Sequence, residues 1–327
     1  MKFSGAYQGY GTQDTVTSWG GGVIYNESEG LYHMYVARMA NECGLEYWTT
    51  VSQVDHAISK TITGPYEFHD KAIDVWSHNP APVTLPDGTF AIFHIGNGVH
   101  SGNVTDCSKN LNSTKQMKID DQDVMVNGEE EIGSTIHVSR SLYGPWEPLQ
   151  NNTLPSCNNP APFVHSNGTI FIVCNLHLYR TESIRTNWTL VSNVSAPNGP
   201  QAIYEDPYLY VDHRGHFHLL FHAYKTFPAD TCVNSTVSAH AYSEDGFVWH
   251  SNPVQPYDTQ VEMHNGTIVT VSTRERPKMF FDKNGHPTHL FNGVCSATSC
   301  PPPEGPHTGC VDCKCSGYWD YTLISAL

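Results

Sequence analysis

Helical periodicity is largely missing from this chain. No long stretch places apolar residues at i, i+3, i+4 and i+7, which argues against a helix-built core. Charge is scarce as well, at 15% of residues, and positive charge most of all: 17 Lys and Arg stand against 32 Asp and Glu, a formal net charge of −15. That balance argues against a nucleic acid or an anionic membrane surface as partner. No apolar run approaches the length of a membrane span. The opening "MKFSGAYQGYG" has no apolar core long enough for a secretory leader, so the numbering is expected to begin near a mature start. A dinucleotide-binding glycine motif, a phosphate loop, a Gly-X-Ser-X-Gly elbow and a His-Glu-X-X-His pair are all missing too.

What is present points to strands. Short alternating runs rich in Tyr, Val, Ile, Phe and Thr recur between clusters of Gly, Asn, Pro and Asp. At 327 residues the chain is long enough for two ordinary domains or one large all-β domain. Nine Asn-X-Ser/Thr acceptors occur, at Asn26, Asn103, Asn112, Asn151, Asn167, Asn187, Asn193, Asn234 and Asn265. With ten cysteines they indicate a eukaryotic secreted glycoprotein. Five cysteines crowd into the last 33 residues, the Cys-rich segment being 295–315. Cys310, Cys313 and Cys315 have spacing that could share a zinc ion. Disulfides fit an oxidising compartment better, and their connectivity is not readable from spacing.

Internal similarity sharpens the fold. "WSHNPAPVTLPDGTFAIFHIG" (76–96) and "SCNNPAPFVHSNGTIFIVCN" (156–175) share Asn-Pro-Ala-Pro, a strand, a Gly turn and a second apolar strand. "YEDPYLYVDHRGHFHLLFHAY" (204–224) repeats the plan with Asp206-Pro207 in the Asn-Pro slot. "RERPKMFFDKNGHPTHLFNGV" (274–294) repeats it with Arg276-Pro277. A fifth copy, "SWGGGVIYNESEGLYHMYVARM" (18–39), carries glycines there. Four copies are followed by a second hairpin with its own pattern, as in "HAISKTITGPYEF" and "HAYSEDGFVWHS". Four short antiparallel strands repeated five times predict an all-β, five-bladed β-propeller. A sandwich would not require the same dipeptide at every second hairpin. The expected blades are 15–70, 71–150, 151–197, 198–255 and 256–327, forming a single domain. Blade two contains an insertion, 97–133, whose acidic run "IDDQDVMVNGEEEIG" reads as a solvated loop. A structural calcium stays open there, although the spacing fits no calcium loop.

With these motifs in view, the chain resembles the five-bladed propellers of glycoside hydrolase family 43 and the invertase/levansucrase superfamily. The resemblance covers nearly the whole chain as a blade pattern. It is most specific in "EDPYLYVDHRGHFHLLFHAY", "SAHAYSEDGFVW" and "RERPKMFFDKNGHPTHLFNGV". It implies carboxylates projecting into a central funnel from the starts of inner strands. One would activate water or attack the sugar, a second protonate the leaving oxygen, and a third set the acid's pKa. Blade four then supplies Asp206 and Glu205, and blade five Glu275. Blade one has Gly20 and Gly21 where the resemblance implies a base, with Asp14 the nearest acid upstream. Asn79 and Asn159 fill the slots of blades two and three.

Each candidate has a plainer alternative. Asp206 could simply make a side-chain turn ahead of Pro207. Neighbouring strand residues face opposite ways, so only one of Glu205 and Asp206 is expected in the funnel, and the slot favours Asp206. Glu275 could be an ion-pair partner for Arg274 and Arg276, or an acid tuned by them while they clamp a sugar. Among 19 histidines, His222 is a candidate acid or base and His78 lies beside a slot. Trp19 at a strand start could stack on a sugar or merely pack. The expectation is a secreted glycosidase-like hydrolase acting on carbohydrate without a cofactor. Asp206, Glu275, Asp14 and His222 would be catalytic, and Trp19, His78, Arg274, Arg276 and Glu205 would contact substrate. Two alternatives stay open: a sugar-binding or matrix propeller without turnover, and one recruited for lyase or oxidative chemistry on another small molecule.

Overall fold

The structure is a computed structural model describing residues 2–6, 16–99, 104–107, 133–150, 153–155, 157–195, 202–225, 237–263, 265–296 and 321–327. Asp14, the Asn103, Asn112, Asn151 and Asn234 acceptors, most of the acidic run and Cys300, Cys310, Cys313 and Cys315 lie outside these residues. The chain opens with β1 (Lys2–Ala6). Four sheets of four strands follow. The first contains β2 (Ser18–Asn26), β3 (Leu31–Met39), β4 (Ser52–Ser59) and β5 (Glu67–Ile73). The second contains β6 (His78–Thr84), β7 (Phe90–Ile95), β8 (Ser134–Ser139) and β9 (Glu147–Pro148). The third contains β10 (Ala161–Val164), β11 (Ile170–Cys174), β12 (His177–Thr181) and β13 (Thr189–Asn193). The fourth contains β14 (Ala202–Val211), β15 (Phe217–Lys225), β16 (Ser238–Ser243) and β17 (His250–Asn252).

The last sheet is built from β18 (Gln260–Met263), β19 (Ile268–Phe281), β20 (Pro287–Ser296), β21 (Tyr321–Ala326) and β1. Consecutive strands within every sheet pair antiparallel. β1 pairs antiparallel with β21 and parallel with β18, so both chain ends are stitched into one blade. This is a five-bladed β-propeller, ring-closed by its first strand. Residues 2–6 therefore belong to the fifth blade, whereas the sequence repeat assigned them to none.

Alternation makes each blade apolar on both faces, so the core is divided into layers between blades. Tyr35, Val54 and Ile73 of blade one meet Ile92 of blade two. Phe93 and Ile136 meet Ile170 and Ile172 across the next gap, and Val173 and Leu178 meet Leu219 and Phe221 beyond it. Tyr257, Leu290 and Met279 pack with Val237, while Phe291 and Ile324 close against Met34 and Val36. Two disulfides, Cys43–Cys107 and Cys157–Cys174, fix loop segments to this frame. Among the described residues no helix is long and apolar enough to cross a membrane.

The repeated dipeptide slot has one backbone conformation in all five blades. Gly20, Asn79, Asn159, Asp206 and Arg276 have φ of 52°, 51°, 57°, 51° and 53°. This is the left-handed region, which Gly, Asn and Asp tolerate best. In blades one, two, four and five the slot interrupts strand register as a β-bulge. In blade three it immediately precedes β10. A bulge re-aims side chains out of the pleat, and here it sends five slot positions to one centre.

Candidate active site

The slot side chains cross-link one another. Asn159 Oδ1 accepts from Asn79 Nδ2 at 2.8 Å and from Arg276 Nη1 at 2.9 Å. The same Arg276 nitrogen lies 2.9 Å from Asp206 Oδ1. Lys278, two residues past the slot on the far side of the bulge, donates from Nζ to Asn79 Oδ1 at 2.8 Å. Blade one contributes space: a Cβ on Gly20 would lie 2.8 Å from Arg276 Cβ. Glycine is needed there for its φ and for the room it leaves. Asp206 and Arg276 are buried, so the slot layer is a polar plug held by the ion pair. Burial pushes the Lys278 amine down to about 7, with Arg276 pressing the same way and Asp206 opposing.

One residue upstream, the funnel acids gather. His222 on β15 pairs in register with Glu205. Its Nδ1 lies 4.0 Å from Asp206 Oδ2, and its Nε2 lies 3.8 Å from Glu275 Oε1. One imidazole thus bridges the two carboxylates. Strict alternation would send Glu205 and Asp206 to opposite faces, but their carboxylates meet here. The bulge and positive φ at Asp206 bring donor atoms of Glu205, Asp206 and His222 within 4.8 Å of one another, a set that could also hold a cation. Accessibility ranks the acids: Asp206 is 1% exposed, Glu205 half-buried, and the Glu275 side chain 20% exposed. Burial pushes the Glu275 carboxyl up; His222 and Arg276 oppose this while Asp206 and Glu205 add to it.

Three expected contact residues turn out to be framework. Arg274 is 1% exposed, with its guanidinium 5.0 Å from the Tyr257 ring centre. It donates to Asn292 Oδ1, Asp258 O and Ser325 Oγ. Asn292 in turn donates to the Glu275 carbonyl, so Arg274 braces the strand that carries Glu275 rather than clamping a sugar. Trp19 is buried, and a Cβ on Gly293 would meet its ring at 2.6 Å; it packs between strands instead of offering a stacking face. His78 is buried under Trp48, with Nδ1 2.7 Å from Ser52 Oγ. Burial first, then Arg276 and Lys278, holds it well below the usual histidine range. Arg276 belongs to the plug. Lys278 escaped sequence reasoning, because the bulge at the slot breaks the alternation that would have placed it.

This arrangement defines a class by architecture: a five-bladed propeller with a plugged centre and a carboxylate–imidazole cluster at the mouth of two adjacent blades. No family model matches the chain, and no curated protein matches it. Solved structures do. An endo-arabinase from Bacteroides thetaiotaomicron aligns over 100% of this chain and 98% of its own, at 12% identity and a TM-score of 0.56. A thermostable family-43 glycoside hydrolase aligns over 100% and 93%, at 12% identity and 0.56. The catalytic domain of a GH62 α-L-arabinofuranosidase from Coprinopsis cinerea aligns over 99% and 97%, at 11% identity and 0.55. The chain shares the five-bladed fold of these glycoside hydrolases.

Proposed function

We propose that this protein is a secreted glycosidase-like hydrolase that cleaves a glycosidic bond at the funnel mouth, with Glu275 as proton donor. The observation that carries this reading is Glu275 itself. It is a partly exposed carboxyl pushed up by burial, facing His222 and flanked by two further acids. A raised pKa favours the protonated form, the one that can transfer a proton to a leaving oxygen. Glu205, the more accessible of the two blade-four acids, acts on water or on the sugar. Asp206 holds His222 and Arg276 in place and is not itself exposed enough to meet substrate. Structural neighbours named as an endo-arabinase and an α-L-arabinofuranosidase support a carbohydrate substrate. Disulfides support secretion, and glycosylation is supported by exposed Asn167, Asn187, Asn193 and Asn265, with Asn26 half-buried.

The test is turnover of arabinofuranoside, xyloside and galactoside substrates by wild type, Glu275→Gln and Glu205→Gln. A general acid contributes about 10²–10⁴-fold, so Glu275→Gln should lose that much in kcat while retaining ligand binding. The alkaline limb of the wild-type pH profile should sit above the ordinary glutamate range. Wild type that binds these glycans and turns none over would instead establish the binding-only reading. That reading has its own observation: Asp206 is locked to Arg276, and the blade-one slot is glycine.

A further inference from the structure

A second cluster lies midway along the two outer strands of blade one. In β5, His69 is the extra residue of a β-bulge: His56 pairs with Asp70 and Ala57 with Phe68. Regular alternation would send His69 and Asp70 to opposite faces, but the bulge puts both beside His56 on β4. Asp70 Oδ1 lies 3.3 Å from His56 Nδ1, and Asp70 Oδ2 lies 3.1 Å from His69 Nδ1. One donor atom from each residue falls within 4.8 Å of the others.

We propose that His56, His69 and Asp70 form a binding site for a zinc-class divalent ion. Tetrahedral zinc with ligands at about 2.0–2.1 Å holds its donors about 3.3 Å apart, close to the two histidine–carboxylate separations of 3.3 and 3.1 Å, and all three donors lie within 4.8 Å. Two imidazoles and a carboxylate suit such an ion, and they leave one position open. Access is built in: the His56 side chain is fully buried, whereas His69 and Asp70 are 41% and 39% exposed. The ion would dock from solvent onto a fixed inner ligand.

The surroundings complete a relay behind that inner ligand. Metal on His56 Nδ1 requires its proton on Nε2, which lies 2.9 Å from His33 Nδ1. His33 then carries its proton on Nε2, a buried atom that faces Glu29 Oε2 at 3.5 Å. Glu29 is held by a 2.6 Å hydrogen bond from Tyr143 of blade two. A carboxylate–histidine chain of this kind fixes the tautomer and raises the basicity of a ligand imidazole. The Tyr143 ring packs 5.7 Å from His56 and 5.1 Å from His69, walling one side. The bound ion would pin the outermost strand of blade one to β4, independently of chemistry in the funnel.

The experiment is calorimetric titration of chelator-treated full-length protein with Zn²⁺ at neutral pH, alongside melting with and without the ion. Wild type should bind one equivalent and melt higher when loaded. His69→Ala and Asp70→Asn should each bind at least about tenfold more weakly and lose the stabilisation, and Glu29→Gln should weaken binding about tenfold. His69 is substantially exposed, so His69→Ala should keep the wild-type circular dichroism, which separates ligand loss from misfolding. Absence of a bound equivalent in wild type would overturn the proposal. So would wild-type isotherms in both ligand variants, or loss of the equivalent in His222→Ala with retention in His69→Ala.

Discussion

Gly20→Ala is the sharpest test of how the five slots converge. Two costs add at this position. An L side chain at φ 52° loses about 1–2 kcal/mol relative to glycine. The new methyl would also lie 2.8 Å from Arg276 Cβ and 3.2 Å from its Cδ. The Cδ end can swing aside, but the Cβ cannot yield without moving the Arg276-Pro277 bulge. Overpacking of that kind costs about 1–3 kcal/mol, so the total is about 2–5 kcal/mol. Gly30 supplies the control: its φ is 67°, yet a Cβ there meets nothing within 4 Å, so Gly30→Ala should cost only the backbone term of about 1–2 kcal/mol. Urea unfolding followed by tryptophan fluorescence measures both. Adding Arg276→Gly removes the opposing Cβ, so in the double variant the contact term should disappear and the two changes should be non-additive by about 1–3 kcal/mol. Equal losses for Gly20→Ala and Gly30→Ala, or strict additivity with Arg276→Gly, would refute the convergence.

Three further outcomes are expected. Burial holds Lys278 near 7 against about 10.5 in the unfolded chain, so the unfolded state binds the extra proton between those values and stability rises with pH across that window. The rise has a ceiling of about 5 kcal/mol, and Lys278→Met should flatten it in melting curves taken from pH 7 to 10. His94, His137 and His240 are pushed down to about 3, 4 and 4 by burial, so the native state resists protonation. Melting temperature should therefore fall as pH drops below 6.5 towards 4, and His240→Gln should shrink that fall. Loop closure makes the Cys43–Cys107 bond, spanning 64 residues, worth about 4 kcal/mol and the Cys157–Cys174 bond, spanning 17, about 3 kcal/mol. Double serine variants unfolded in urea should keep that order.

Blade number was legible because the same dipeptide opens every second hairpin, and a sandwich has no reason to repeat it. The conformation of that dipeptide left a trace too. Gly, Asn, Asn and Asp occupy four of the five slots, and these are the residues that tolerate positive φ. Read as a set they announce a left-handed residue rather than a proline-led strand start, with Arg276 the outlier. Ring closure was not legible, because β1 copies no repeat and finds its partners only after the other blades have brought β21 and β18 around. Alternation misled at Glu205-Asp206, and His69-Asp70 drew no notice, for one shared reason. Strict alternation puts neighbours on opposite faces, and a bulge, which leaves little trace in a single sequence, puts them together. Trp19 and Arg274 misled differently. Being at a strand start says nothing about burial, and both are enclosed by residues far away in the chain.

The plug also decides which substitutions can speak about chemistry. Asp206 is the acid paired to Arg276 within a buried layer that also contains Lys278. Removing its charge leaves the guanidinium uncompensated, a change that costs about 3–5 kcal/mol at a buried pair. Loss of turnover in Asp206→Asn would therefore follow from a loosened plug as readily as from a lost catalytic group. Glu275 is different. Its side chain is one-fifth exposed, its contact with His222 is a long 3.8 Å, and its strand is braced through its backbone carbonyl by Asn292 and Arg274. Glu275→Gln keeps that brace and the plug while removing the transferable proton. Activity lost there with melting unchanged would belong to the chemistry, and Asp206 becomes interpretable only once that result is in hand.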